Sequence, residues 1–174
     1  LIKLAAEKTP PATRSADGHE WMRCMAIDVL GLLRNVGDNN LVAKALATIV
    51  ADKKDVPEQN DREMLVRCAA ARALGNLNYA NASGLNPVSL AESLAGLAVE
   101  ACGRGTTSVS SEDAGELPIV RRRLRTEINT VILGLNGVDE RHKGIRGLAQ
   151  DSPNKDHVER LQQRVQNMAL AFDK

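Results

Sequence analysis

The chain has 174 residues, of which 43% are apolar and only 2% aromatic, and its formal net charge is +1. This length suits one domain with a sizeable core. Near neutrality argues against a strongly basic binder of polyanions. Because aromatic residues are so few, the core must be built from Ala, Leu, Val and Ile. Side chains of that size favour helices packed closely in layers.

The ends of the chain indicate little about location. No apolar run approaches the ~18 residues needed to cross a membrane, and no signal-like segment begins the chain, so membrane insertion is not expected. The residues from Leu1 to Lys8 have the pattern of a helix that is too short to stand alone in water. We therefore expect a fragment of a larger protein whose N-terminus is truncated. A cytoplasmic location is favoured, and the oligomeric state is not indicated.

Apolar residues recur at three- and four-residue spacing along most of the chain, which is the pattern of half-buried helices. After the first short segment, the pattern predicts helices over about 20–34, 40–52, 62–78, 87–101, 117–135, 139–149 and 155–172. All of them belong to a single predicted domain, 1–174. The polar stretch 103–115 is predicted to be a loop insertion, with Gly103 ending the helix before it.

The first long helix illustrates how the pattern assigns a buried face. Its apolar residues are spaced so as to predict one inward face, at positions 22, 25, 26, 29, 30 and 33. Gly37 lies just past its end, and the polar residues 38–40 are suited to cap the following helix. The connection is short, so these two helices are predicted to pack as an antiparallel hairpin.

An internal repeat is the strongest feature of the sequence. Met22–Leu33 and Val66–Leu77 carry Arg, Cys, Ala, Leu, Gly and Leu at matching offsets, and a Leu-Gly pair recurs at 133–134. A helical Gly costs about 1 kcal/mol relative to Ala, so each one needs a packing reason. Gly31, Gly75 and Gly134 are therefore predicted to mark close approaches between neighbouring helices.

The segment Val66–Gly75 resembles the first helix of a HEAT repeat of the phycobilisome-lyase-like subtype, with its Val-Arg-x-x-Ala-Ala-x-Ala-Leu-Gly signature. The resemblance implies an all-α fold, an α-solenoid of about three antiparallel helix pairs whose second helices line a concave, partner-binding side. The implied repeats are 20–53, 61–103 and 117–150, followed by a C-terminal helix at 155–172.

The resemblance also implies a structural role for two arginines at equivalent repeat positions. Arg23 and Arg67 would bond neighbouring repeats through backbone carbonyls or an acidic partner, for which Asp28 and Asp61 are the candidates. A bilin-lyase-type enzyme is the least favoured interpretation, because it rests on the resemblance alone.

Residues suited to catalysis or metal binding are scarce. The three cysteines form no CxxC pair, and their odd number argues against a disulfide framework. No His has a His four residues away that would suggest a metal site. Buried Cys usually behaves as a small apolar residue. We therefore expect no catalytic residue, cofactor or metal, and histidines that lie on the surface or at interfaces.

Binding is the favoured function class. The main prediction is a non-catalytic protein–protein interaction or scaffold module with an unidentified protein partner, for which Trp21 and Lys44 are candidate contacts. The alternative is binding of nucleic acid or an acidic partner by Arg121, Arg122 and Arg125, joined by Arg146 if the two helices pair. The competing interpretation of this cluster is a solvated helix face that is partly paired with glutamates.

Overall fold

The computed structural model describes residues 1–52, 60–80, 82–107 and 117–171. Within these ranges the chain forms eight α-helices and no strand, apart from one isolated bridge between Asn35 and Asn78. The predicted all-α class is therefore confirmed. The helices are α1 (Ile2–Ala6), α2 (Ala16–Leu32), α3 (Leu41–Ala51), α4 (Asn60–Asn76), α5 (Pro87–Thr107), α6 (Leu117–Asn136), α7 (Gly144–Leu148) and α8 (Lys155–Ala171).

The helices contact one another in two rows. In the first row α2 contacts α4 and α4 contacts α6; in the second, α1 contacts α3, α3 contacts α5, and α5 contacts α8. Across the rows α1 packs on α2, α3 on α4, and α5 and α8 on α6. The apolar core lies between the rows and consists mainly of Ala, Leu, Ile and Val, as the composition predicted.

The predicted hairpin of α2 and α3 is not what the structure shows. These two helices, both fully described, are not a close pair, because α3 makes its contacts with α1, α4 and α5. The connection between them is anchored elsewhere: the carbonyl of Arg34 accepts a hydrogen bond from the Asn78 amide at 3.0 Å. This bond holds the end of α2 beside the end of α4 while the chain crosses to the second row.

The predicted inward face of α2 is only half right. Ala26 and Leu30 are buried, but Met25, Val29 and Leu33 are exposed. The reason is that, among the described helices, only α1 and α4 are close neighbours of α2. The spacing of apolar residues did not distinguish those sides from a third one that faces solvent.

The helical glycines confirm the predicted close approaches. A Cβ at Gly31 would lie 3.0 Å from the Cα of Ala73, so α2 and α4 touch there backbone to backbone. A Cβ at Gly75 would overlap the carbonyl oxygen of Leu133 on α6, and one at Gly134 would lie 2.7 Å from the carbonyl oxygen of Ala71. All three glycines therefore bring first-row helices together.

Two predicted boundaries are wrong for physical reasons. The helix expected to end at Gly103 continues as α5 to Thr107, and no atom lies within 4 Å of a Cβ at Gly103. Residues 103–107 therefore belong to the helix, while the rest of the predicted insertion, 108–115, lies outside the described residues, as does residue 172. The predicted helix 139–149 is shorter, because Gly137 and Gly144 both have positive φ and turn the chain before α7 begins.

Asn40, one of the residues predicted to cap α3, makes a hydrogen bond to another segment instead of to the helix. Asn40 precedes the helix with φ 61°, and its side chain makes no capping hydrogen bond. Its amide nitrogen instead donates to the carbonyl of Ser83 at 2.6 Å. The first amides of α3, those of Val42 and Ala43, donate to the carbonyl of Val36.

Candidate functional site

Arg23 is a structural link between three helices. Its Nε donates to the carbonyl of Ala5 on α1 at 3.1 Å, and its Nη1 donates to Oε1 of Glu63 on α4 at 2.7 Å. The predicted linking role is therefore confirmed. The suggested acidic partner was wrong, because Asp28 lies on the outer side of the α2–α4 contact and pairs with Arg72 at 2.6 Å.

Arg67 on α4 makes a carbonyl bond and an ion pair like those of Arg23 on α2. Its Nε donates to the carbonyl of Val50 on α3 at 3.0 Å, and its Nη1 donates to Oε1 of Glu100 on α5 at 2.7 Å. Its acidic partner is Glu100, and the side chain of Asp61, the other candidate, lies outside the described part of the structure. Because helices leave their last carbonyls unpaired, each arginine satisfies a carbonyl near the end of a second-row helix. Both side chains are fully committed to the fold.

The cysteines are poorly suited to nucleophilic chemistry. Burial raises the pKa of Cys24 to about 11, with the charges of Glu20 and Asp28 adding to the effect. Burial likewise raises the pKa of the Cys68 thiol to about 11. A reactive cysteine needs a lowered pKa, so both thiols stay protonated near neutral pH.

Two histidines predicted to lie on the surface or at interfaces are buried. Nε2 of His19 donates to the carbonyl of Glu7 at 2.8 Å, which ties α2 to the end of the first segment. His142 is hydrogen-bonded through Nδ1 to Oδ1 of Asp139 at 2.8 Å, within the turn before α7. In the part of the chain that the structure describes, no three or more His, Cys, Asp or Glu residues group as metal ligands.

The arginine cluster on α6 faces solvent. Arg121, Arg122, Arg123 and Arg125 are all exposed. Arg123 also donates from Nε to Oε1 of the buried Glu127 at 3.0 Å. Arg146 lies on α7, which contacts α6, and its addition to the cluster stays a prediction. α7 begins at Gly144 against the carbonyls of Gly134 and Leu135, about 14 Å along the α6 axis from Arg125.

Lys44 lines an open cleft of about 490 Å³ between the connections 35–40 and 83–84. The hydrogen bond from Asn40 to Ser83 joins the two connections across this cleft. Apart from Lys44 and Asp38, its lining is uncharged and contributed mainly by asparagine and glycine residues. The cleft contains no pair of groups arranged for catalysis.

One side of α2 exposes a stripe of apolar side chains. Trp21 is 64% exposed, Met25 and Val29 are each 40% exposed, and Leu32 and Leu33 are 72% and 63% exposed. We call these five residues the α2 stripe. Contiguous apolar patches larger than a few hundred Å² are rare on monomers and mark interaction sites, whereas single exposed apolar residues are ordinary.

Sequence reasoning identified Trp21 but missed the rest of the stripe. Met25, Val29 and Leu33 were assigned to the core because their spacing matches a buried face. The signal that was available is that α2 carries apolar residues on nearly all sides, more than its two neighbouring helices can cover.

The internal repeat shows how the corresponding face is packed on α4. Shifted by one repeat, Met25 and Val29 correspond to Ala69 and Ala73 of α4, which are 6% and 1% exposed. On α4 this face is covered by α2, whose Gly31 touches Ala73. On α2 no helix among the described residues covers it. The stripe therefore corresponds in the repeat to a face that is buried between helices on α4.

None of the described helices is long and apolar enough to span a membrane. Comparisons with protein-family models, with curated proteins and with solved structures find no match to this chain.

Proposed function

We propose that this chain is a non-catalytic protein-binding module, and that its helix pairs form an α-solenoid of the HEAT-like type. The observation that carries the binding proposal is the α2 stripe. Five apolar side chains face solvent on α2. In the next copy of the repeat, on α4, the residues that correspond to Met25 and Val29 are buried. Removing such a patch from water on binding supplies the largest favourable term in most protein associations.

The solenoid proposal is supported by constant offsets between first-row helices. Asp28 pairs with Arg72, and Gly31 touches Ala73 and Asn76, so α2 and α4 run parallel in register with the 44-residue repeat. The two-row order of contacts and the equivalent carbonyl bonds of the two buried arginines repeat with the same period. Repeats of this kind stack because none can bury its apolar face alone.

The chemistry of the buried polar groups supports a non-catalytic role. The thiols have raised pKa values. His19 and His142 are committed to hydrogen bonds within the fold. General acid–base and nucleophilic catalysis need groups whose pKa values lie near the working pH and which reach a substrate.

Site-specific photocrosslinking tests the proposal. A photoreactive amino acid replaces Met25 on the stripe, and in a matched control it replaces Val99, which is 55% exposed on α5. In an extract of the source organism, the Met25 variant is expected to give one adduct of defined mass. That adduct should disappear when Val29→Glu is added to the same chain. Adducts of equal yield at both positions, or none at position 25, would contradict the proposal.

A second candidate function is binding of an acidic partner or nucleic acid through α6. The observation that favours it is the exposure of Arg121, Arg122 and Arg125 on one helix. For a phosphate-binding surface of this kind, the logarithm of the binding constant falls linearly with the logarithm of the salt concentration. Binding to random single-stranded RNA at low salt, lost in the Arg121→Ala/Arg122→Ala variant but kept in Arg164→Ala on α8, would support it. Absence of binding at low salt would exclude it.

A further inference from the structure

We propose that His19 is an acid-sensitive latch between α2 and the residues before it. The latch consists of the imidazole ring of His19, the side chain of Arg14 and the carbonyl group of Glu7. It holds residues 2–14, which we call the α1 segment, against α2, and it releases this segment when the ring takes up a second proton. The molecule thereby has a conformational response to pH in addition to its proposed binding function.

The partners of the two ring nitrogens fix the protonation state of His19. Nη1 of Arg14 lies 2.9 Å from Nδ1, and the carbonyl oxygen of Glu7 lies 2.8 Å from Nε2. A guanidinium group can only donate a hydrogen bond, and a carbonyl oxygen can only accept one. Nδ1 must therefore carry the lone pair and Nε2 the hydrogen, so the folded state holds the neutral ring in one tautomer.

A second proton has no place in this arrangement. It would bind Nδ1, where its hydrogen would point at the N–H group of Arg14 and two positive charges would lie side by side. The ring of His19 is only 2% exposed, so water cannot replace the lost bond without opening the contact. His19 is also the fourth residue of α2, and the positive end of the helix dipole further disfavours a cation there.

Neighbouring carboxylates cannot pair with the ring nitrogens, because both nitrogens are already occupied. Besides Arg14, the elements that form this contact carry the charged residues Lys3, Glu7, Lys8, Asp17, Glu20 and Arg23. Lys8 pairs with Asp52 on α3, and Arg23 pairs with Glu63 on α4. Of these types of side chain, only histidine ordinarily changes its charge between about pH 5 and pH 8. A response of this contact in that range is therefore assigned to His19.

The α1 segment needs its links to the neighbouring helices. α1 has five residues and is too short to persist without tertiary contacts. Nε of Arg23 donates to the carbonyl of Ala5 at 3.1 Å, and the His19 latch holds the chain two residues further on, at Glu7. Loss of the bond at Glu7 therefore favours release of the α1 segment, which would expose the sides of α2 and α3 that α1 covers.

The direction of the pH response follows from proton binding. A solvated histidine takes up its second proton at about pH 6.5, and His19 is solvated only when the segment is released. The open form thus binds one more proton than the closed form. The equilibrium constant for opening should rise about tenfold for each pH unit below about pH 6 and stay level above pH 7. The latch is therefore closed at neutral pH and weakens in acid.

NMR spectroscopy of the 174-residue chain tests each step. Long-range spectra of the imidazole nitrogens at pH 8 should show hydrogen on Nε2 of His19 and none on Nδ1. The amide hydrogen of Ala5, which donates to the carbonyl of Leu1, reports opening by its exchange with solvent, once the intrinsic pH dependence of exchange has been divided out. Its opening constant should rise about tenfold between pH 6 and pH 5.

Two variants separate the latch from other effects of acid. In His19→Gln an amide can still donate to the carbonyl of Glu7 but does not titrate, so the rise should disappear. In Arg14→Met the contact between like charges is absent, so the rise should be smaller than in the wild type. His157→Gln replaces a half-exposed histidine on α8. It is the matched control and should keep the full rise.

Hydrogen on Nδ1 of His19 at pH 8 would overturn the proposed tautomer and, with it, the latch. If the ring takes up its proton while the opening constant at Ala5 stays level, Arg14 alone moves aside and release of the segment is refuted. An undiminished rise in His19→Gln would also refute the latch, since another group would then be responsible. Should that variant fail to fold, Arg14→Met decides, and a full tenfold rise in it would contradict the proposal.

Discussion

Replacing Gly75 with alanine tests the close contact between α4 and α6. The new Cβ would overlap the carbonyl oxygen of Leu133 and lie 2.7 Å from its carbonyl carbon and 3.1 Å from the Cα of Gly134. These obstacles are backbone atoms of a helix, so no side chain can turn aside to make room. The two helices must separate, and every contact along their seam weakens as they do.

The expected loss of stability follows from two opposing effects. Overpacking costs about 3 kcal/mol when backbone must move, at the upper end of the usual range. The better helix propensity of Ala offsets about 1 kcal/mol of this. The free energy of unfolding should therefore fall by about 2 kcal/mol, and the melting temperature of a chain this long by about 6 °C.

Urea denaturation followed by circular dichroism measures this change. The matched control is Gly96→Ala on α5, where nothing in the described chain beyond the glycine's own helical turn lies within 4 Å of the new Cβ. That variant should be more stable than the wild type by up to about 1 kcal/mol. If Gly75→Ala were as stable as Gly96→Ala, the contact between α4 and α6 would not have the backbone-to-backbone geometry described here.

Three further changes probe polar groups that the fold holds in place. Arg67→Ala should lower the unfolding free energy by about 3 kcal/mol, because a buried ion pair loses one partner. Adding Glu100→Gln should recover part of that loss in the same denaturation assay, and no recovery would contradict the pairing. Cys24, with its pKa of about 11, should label slowly with a disulfide reagent at pH 8 and roughly tenfold faster per pH unit up to that pKa. Rapid labelling at pH 7 would refute its burial. Hydrogen bonds from His142 lower the pKa of Asp139, so its carboxylate stabilises the fold above about pH 4 and loses this effect as pH falls through the lowered pKa. Asp139→Ala should therefore reduce the melting temperature at pH 6 and change it little at pH 2, and an equal reduction at both would count against the interaction.

The sequence was sufficient to predict features that depend on local spacing. Gly31 and Gly75 were recognisable because a helical Gly costs stability unless a neighbour comes close. The linking roles of Arg23 and Arg67 came from their equivalent places in the repeat together with the family resemblance. The repeat places these two arginines at equivalent positions, and this can be read from the sequence without knowing which helices are in contact.

Features that depend on the arrangement of whole helices were not predictable in the same way. The acidic partners Glu63 and Glu100 come from helices whose neighbours are fixed only by the two-row packing. Met25 and Val29 have the spacing of core residues, yet they face outward, because no described helix packs against that side of α2. Periodicity specifies which residues share a face, and only the tertiary structure specifies which face has a neighbour.

The buried arginines have a consequence for the way the molecule opens. Arg23 fastens α1 to α2 and α4, and Arg67 fastens α3 to α4 and α5, so local opening near α1–α5 must break several bonds together. The equivalent position on α6 is Thr126, which bonds only within its own helix, to the carbonyl of Arg122. Opening should thus begin at the α7–α8 end, where amide hydrogens exchange soonest, and spread toward α2 as successive arginine links are broken.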